Sequence, residues 1–379
     1  MPKSGWMRAL PVVFLVAYLA AGIYTLVRQV LALPFPLSLF MDYGFYSDAL
    51  ARVLSGADMY AVRRIGSAFL YPPPALLFVD LLNFLPDGIA RGALLAALDV
   101  LMATTLVYWL GRRYSLQPER SALLLAVSLA FAPFLVTLQL GQVNMLTQFG
   151  LGILFVFALS VPWLAGLGLA LAIVTKLTPL YFMAYLLATK NFKVLLWTVL
   201  ALAGFVLLAL ARYGLQPFFT YVEVFRGMTA VLPVGENGQS LLARLFAVGV
   251  SPNLGIIQFG LVLYLVLATL LSAYQTLRGK QPEAAFIVTM LAMLLSPNIL
   301  WYHHYVFFIL PLLIWMAWRQ NSRAVTFWCL AGMFLIQLDY FLLSGGLLIH
   351  IFGHLSILVV LTQPAVSIKS QNLALLNLQ

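Results

Sequence analysis

The residues able to do chemistry are few, and most fall in short clusters between long apolar runs. The stretch "LFMDYGFYSDALARVLSGADMYAV" (39–62) holds three of the seven aspartates, Asp42, Asp48 and Asp58. Asp42 directly follows an apolar run and precedes Tyr43, Phe45 and Tyr46. A carboxylate at an apolar boundary is costly unless it is used or paired. Desolvation there raises its pKa toward the range that suits a general base. Lys176, in "KLTP" (176–179), interrupts another apolar run, where a cation is costly unless it is used or paired. "GQVN" (141–144) supplies Gln142 and Asn144, and "NGQSLLAR" (237–244) supplies Asn237, Gln239 and Arg244. Amides can donate and accept toward a ligand or cap helices, and a guanidinium suits an anion or an ordinary surface position. His303 and His304 are adjacent, and either can hydrogen-bond a ligand. Tyr46 and Tyr71 offer rings for stacking, although aromatics are also common at membrane interfaces.

The elements that position these groups must be membrane helices. Of 379 residues, 63% are hydrophobic and 8% are charged, against roughly a quarter charged in soluble domains. The apolar runs are far longer than the ten or so alternating residues of a transmembrane β-strand. The fold class is therefore an all-α polytopic membrane protein. The net charge of +10 does not point to nucleic acid, because the basic residues sit in small groups between apolar runs, as in cytoplasmic loops. The one cysteine, Cys329, excludes an intrachain disulfide and a thiolate metal site. There is no Asp-x-Asp, and no carboxylate stands near His303 and His304, so neither a metal nor a cofactor is expected.

A first span runs from Ala9 to about Leu33, with Lys3 and Arg8 placing its start in the cytoplasm. Further candidates are 89–111, 119–138, 144–160, 194–212, 253–277, 284–300, 303–318, 324–342 and 346–362. Two stretches are ambiguous: 71–86, which is proline-bounded, and 163–189, which Lys176 and Pro179 interrupt. Keeping the basic loops together on one side requires that 71–86 does not cross. It also requires that 163–189 is two short crossings meeting near Lys176–Pro179. The result is about twelve crossings, with both termini in the cytoplasm, in one transmembrane domain over 1–379. The extracytoplasmic side then receives two long loops, 34–88 and 213–252, together with 140–144, 176–179 and 296–305. In the first loop, "YSDALARVLSG" places Ala49, Leu50, Val53 and Leu54 on one stripe and Asp48 and Arg52 near the other. That pattern predicts an interfacial amphipathic helix ended by Gly56, with Asp58 in the turn beyond.

The polar clusters, in order, carry a resemblance. Asp42-Tyr43-x-Phe45-Tyr46, then Gly56, Tyr60 and "YPPPALL" from Tyr71, resembles the start of glycosyltransferase family 87. "GQVN" (141–144), "KLTP" (176–179), "NGQSLLAR" (237–244) and "SPN…W…HHYVFFILP" (296–311) resemble later motifs of that family. The resemblance implies a GT-C fold and transfer of a sugar from a polyprenyl phosphate to a hydroxyl of a glycolipid or glycan acceptor. The family's members include polyprenyl-phosphate-mannose-dependent mannosyltransferases, so mannose is the expected sugar. It further implies that Asp42 is the catalytic base and that a β-linked donor sugar becomes an α-glycoside with inversion. Lys176 and Arg244 would face the donor phosphate, His303 or His304 the phosphate or a sugar hydroxyl, and Gln142, Asn144, Asn237 and Gln239 the sugar. The expected partners are the lipid-linked donor, the acceptor and membrane lipids, with no nucleic acid, in a multi-pass plasma-membrane protein. A transporter or lipid flippase is the competing class. It would place its polar groups at the membrane midplane and often show two similar halves.

Overall fold

The computed structural model describes residues 6–31, 39–62, 69–85, 88–230, 254–278, 281–297, 300–342 and 347–363. Every regular element among them is helical. The helices are α1 (Trp6–Leu31), α2 (Met41–Leu54), α3 (Leu76–Leu81), α4 (Gly88–Tyr114), α5 (Pro118–Leu129), α6 (Ala132–Leu140), α7 (Asn144–Phe157) and α8 (Pro162–Thr175). They continue with α9 (Tyr181–Ala188), α10 (Phe192–Tyr213), α11 (Gln216–Ala230), α12 (Leu254–Leu277), α13 (Pro282–Leu295), α14 (Ile309–Trp318), α15 (Arg323–Leu342) and α16 (Leu347–Thr362). Short 3₁₀ turns at Pro73–Ala75, Thr178–Leu180 and Tyr302–Phe308 lead into α3, α9 and α14. Prolines open α5, α8 and α13, where the missing amide hydrogen costs no helical bond.

Among the described residues, α4, α10 and residues Ile256–Leu277 of α12 are long and apolar enough to cross a membrane, and α5 with α6 makes a bent pair that also qualifies. At 1.5 Å per residue α10 is about 33 Å long, close to the hydrocarbon thickness of roughly 30 Å. It exposes Leu196, Trp197, Leu200 and Leu207, an outward surface suited to lipid rather than water. The 119–138 stretch differs from expectation. Pro133 stands in the first turn of α6, and the chain leaves the helix just before it, as the steric clash preceding a proline favours. Within 71–86, α3 is six residues long, about 9 Å of helix.

The chain divides into two compact units. The first comprises Met1–Val30, Ala103–Leu135 and Val234–Gln379. Its centre is α13 and α14, buried along nearly their whole lengths. Polar residues fasten one end: Glu283 accepts from the Tyr114 hydroxyl at 3.1 Å, and Arg319 donates to Gln281 at 3.3 Å. Gln337 donates to the carbonyl of Ala130 at 2.7 Å, satisfying an acceptor that the α5–α6 break leaves open.

The second unit, Leu31–Met102 with Val136–Pro233, holds the first polar loop. Here α7 and α8 form an antiparallel pair. A Cβ on Gly150 would lie 2.4 Å from the carbonyl oxygen of Gly168, and one on Gly168 would lie 2.6 Å from that of Gly150. Only hydrogen at both positions lets the two backbones come this close. The close approach sets the start of α7 beside the end of α8, where the hydroxyls of Thr147 and Thr175 are 2.9 Å apart.

A helix with one buried face does form over this stretch, α2, and its stripe is shifted from the expected one. Tyr43, Tyr46, Ala49 and Leu50 are buried, whereas Val53 is half-buried and Leu54 exposed. The helix begins earlier than the pattern suggested, so the tyrosines rather than Val53 and Leu54 complete the inner face. Gly56, at φ 79°, terminates it, with the Ala57 amide donating to Arg52 at 2.9 Å and the Gly56 amide to Val53 at 3.1 Å. Asp58 accepts from the amide of Tyr60 at 2.9 Å, as a turn residue does.

Candidate active site

The position of Asp42 is fixed by how α2 begins. Phe40 takes a left-handed conformation (φ 58°), and its amide donates to the Gln139 carbonyl at 2.7 Å. Its ring lies against Gly92 of α4, where a Cβ would come within 2.3 Å. The chain therefore turns sharply into α2 and leaves Asp42 in the first turn, where a helix N-terminus favours negative charge.

Opposite stands the turn between α6 and α7. Gly141 has φ 67°, and a Cβ there would be 2.9 Å from the Cβ of Tyr43. Glycine alone meets both demands, the left-handed backbone and the close approach to α2. The next residue, Gln142, is buried, and its side-chain amide donates to Asp42 Oδ2. The Gln142 carbonyl oxygen accepts from the Tyr46 hydroxyl at 2.9 Å and the Tyr71 hydroxyl at 3.0 Å. Tyr46 lies four residues after Asp42, on the same face of α2. Tyr71 is held in turn, its backbone carbonyl accepting from the Tyr60 hydroxyl at 2.7 Å. Four residues expected from sequence, Asp42, Tyr46, Tyr71 and Gln142, thus form one network. Tyr46 is 2% exposed and packs edge-on against Tyr71 and Phe69, so its ring belongs to the core.

Desolvation raises the Asp42 carboxyl to about 6. Asp42 lies on α2, outside the membrane-spanning segments. Its ionised form, the one that a base needs to accept a proton, predominates above pH 6 and is lost below it. We expect kcat/KM to fall about tenfold per pH unit below 6 and to level off above 7. An initial-rate profile between pH 4.5 and 8 checks this; a flat acid side would remove Asp42 from the rate equation.

The same turn reaches a cation. Asn144 opens α7 and is fully buried. Its side-chain oxygen accepts from Lys176 Nζ at 3.3 Å. Lys176 follows the last residue of α8 in an extended conformation (φ −160°, ψ 131°), so the chain is non-helical where the ammonium emerges.

His303 and His304 belong to the other unit. Their rings meet edge-on at 4.5 Å, and the Trp301 ring lies 5.8 Å from the first and 5.5 Å from the second. The Trp301 amide donates to Nδ1 of buried His304 at 3.3 Å, so a neutral His304 carries its proton on Nε2. His303 is half-exposed. Asn237, Gln239 and Arg244 lie outside the described residues. Asp48 is exposed. Sequence reasoning passed over Asp80, which pairs with Arg212 at 2.7 Å and lies 3.4 Å from the Tyr213 hydroxyl. Among the described residues no group of three or more His, Cys, Asp or Glu side chains is arranged to hold a metal ion.

Residues 69–297 match glycosyltransferase family 87, a stretch that includes Tyr71, Gln142, Asn144 and Lys176 and begins after Asp42. Among curated proteins the chain is similar to the polyprenol-phosphate-mannose-dependent alpha-(1-2)-phosphatidylinositol mannoside mannosyltransferase of Mycobacterium tuberculosis. The two are 29% identical over 292 residues, 71% of this chain and 67% of the relative. The enzyme of that description from Mycolicibacterium smegmatis is 32% identical over 312 residues, 73% of this chain and 69% of the relative. A phosphatidylinositol pentamannoside mannosyltransferase of Mycolicibacterium smegmatis is 27% identical over 265 residues, 65% and 60% of the two chains. The family match covers more than half of the chain, and the polar turns it encloses are those that surround Asp42 and Lys176; the chain belongs to glycosyltransferase family 87.

Proposed function

We propose that the protein moves a mannosyl residue from a polyprenyl phosphate to a hydroxyl of a lipid-linked mannoside or glycan at the extracytoplasmic face of the plasma membrane. The observation that carries this reading is the Asp42 carboxylate, half-buried, ordered by Gln142 and raised to about 6. Asp42 takes the proton of the acceptor hydroxyl as that oxygen bonds to the anomeric carbon. The bond from that carbon to the phosphate oxygen breaks, and its electron pair leaves with the polyprenyl phosphate. Attack from the face opposite the leaving group inverts a β-linked sugar to an α-glycoside. Lys176 meets the phosphate. Asn237 and Gln239 contact the sugar.

The leaving group is a monophosphate with less charge than a nucleoside diphosphate, and the chain carries no Asp-x-Asp. Cations and hydrogen bonds therefore suffice, and the reaction is metal-independent. The purified protein should be incubated with a panel of polyprenyl-phosphate sugars and a phosphatidylinositol mannoside, and the extracted lipids weighed by mass spectrometry. A product heavier by one hexose, formed from the mannose donor and unaffected by chelator, is expected. Transport of a solute with no glycosyl transfer from any donor would support the transporter or flippase class. Activity abolished by chelator and restored by Mg²⁺ or Mn²⁺ would overturn the metal-free mechanism.

The topology that accompanies this reading has about twelve crossings, with both termini in the cytoplasm and the 176–179 break near the outer face. Cysteines placed at 191 and 237 should react with an impermeant reagent only from the cytoplasmic and the outer side respectively. Labelling of both from one side refutes the arrangement.

A further inference from the structure

We infer that Gln142, clamped by the hydroxyls of Tyr46 and Tyr71, is a positioning residue that orients the Asp42 carboxylate. This rests on the reading of Asp42 as the base. A glutamine amide has two donors at one end and an acceptor with two lone pairs at the other, and by itself it can present either end to a neighbour. Here the neighbours resolve it. An ionised carboxylate can only accept, so the NH₂ end faces Asp42. Tyr46 at 2.9 Å and Tyr71 at 3.0 Å both lie in reach of the amide oxygen; the two hydroxyls are also 3.2 Å apart, so at least one of their two protons goes to that oxygen. The NH₂ end is then committed to Asp42 Oδ2. A donor held there favours the ionised carboxylate and fixes which oxygen remains for the acceptor proton.

The clamp is built rather than incidental. Gln142 is 3% exposed and Tyr46 2%, so water does not compete for the amide. The contacts that hold each member come from different parts of the chain. Tyr46 rides on α2 with Asp42, Tyr71 is fixed through the Tyr60 hydroxyl, and Gln142 is carried by the turn that Gly141 permits. Each end of the Gln142 amide has a partner within the protein.

The titratable groups facing Asp42 are the phenols of Tyr46 on its own helix and Tyr71 from the segment opposite. Arg91 of α4 acts on neighbouring Tyr43. Both phenols are held above their ordinary range, so they stay neutral while Asp42 titrates, and the acid side of the rate profile reports Asp42.

The test uses the full chain in lipid nanodiscs with polyprenyl-phosphate mannose as donor. Gln142→Leu, Gln142→Glu and the double variant Tyr46→Phe/Tyr71→Phe are compared with the unaltered protein for kcat, donor KM, melting temperature and the pH of half-maximal rate. Gln142→Leu removes one charge-assisted hydrogen bond, and kcat should drop roughly 10- to 150-fold with little change in KM. In all three the acid limb should move to higher pH. Leucine removes the donor, glutamate adds a like charge, and the double variant frees the amide to turn and accept from the protonated carboxyl, favouring the acid form. A lowered melting temperature with unchanged kcat and unchanged limb would assign the cluster to structure alone and overturn the proposal. If Gln142→Leu does not fold, the double variant, which keeps both rings, decides by the same limb. Asp42→Asn runs alongside. If it remains active, the base reading itself fails. If it is inactive while the Gln142 and tyrosine variants keep the original profile, only the positioning role fails.

Discussion

Asp42→Asn is expected to lower the transfer rate by at least ~100-fold, the low end for loss of a general base, while the protein folds and still binds the lipid donor. Asparagine has the same shape and can still meet the Gln142 amide, but it has no carboxylate to take a proton. The two other aspartates of the same stretch give the internal comparison. Asp48 is exposed on α2, and Asp58 accepts the Tyr60 amide in the turn after it. Asp48→Asn and Asp58→Asn should therefore keep most of the activity. Initial rates and donor affinities for the three variants decide the assignment. Normal turnover by Asp42→Asn, or an essential Asp48 or Asp58, would transfer the role elsewhere.

Lys176→Ala should act on the donor instead. Loss of a charge-assisted hydrogen bond to phosphate weakens binding by roughly 10- to 150-fold, read as a raised donor KM or a raised dissociation constant. The acceptor KM should change little. Lys190 supplies the contrast. It is an exposed residue in the turn before α10, and Lys190→Ala should leave donor binding as it was. Equal donor affinity for Lys176→Ala and the unaltered protein would rule out a phosphate contact at that ammonium.

The types of these residues made them visible before their geometry was known. A carboxylate beside an apolar run, a lysine inside one and an amide pair in a short turn are each costly in a membrane protein, and cost is legible in sequence. Their connections were not. Asp42 and Gln142 are 100 residues apart, and their contact depends on the left-handed backbone at Gly141, which composition does not announce. That Gln142 would meet Asp42, Tyr46 and Tyr71 was not legible, because a glutamine carries no mark of which neighbour it contacts. The α2 stripe was misaligned because tyrosine counts poorly in an apolar pattern although its ring buries well. The α5–α6 break had a sequence signal in Pro133, overridden by the uniform hydrophobicity around it.

The turn that ends α6 carries Gln142 and Asn144 two residues apart, the first bound to Asp42 and the second to Lys176. It acts as a gauge block between the Asp42 carboxylate and the Lys176 ammonium. The backbone spacing of the two anchoring residues is set by peptide geometry, and their side chains set how far each anchored group stands from it. A substrate with a different distance between leaving oxygen and attacking oxygen calls for a longer or shorter turn or for side chains of different reach. Redesign aimed at such substrates can therefore use insertions or deletions between 140 and 145, where the gauge is cut.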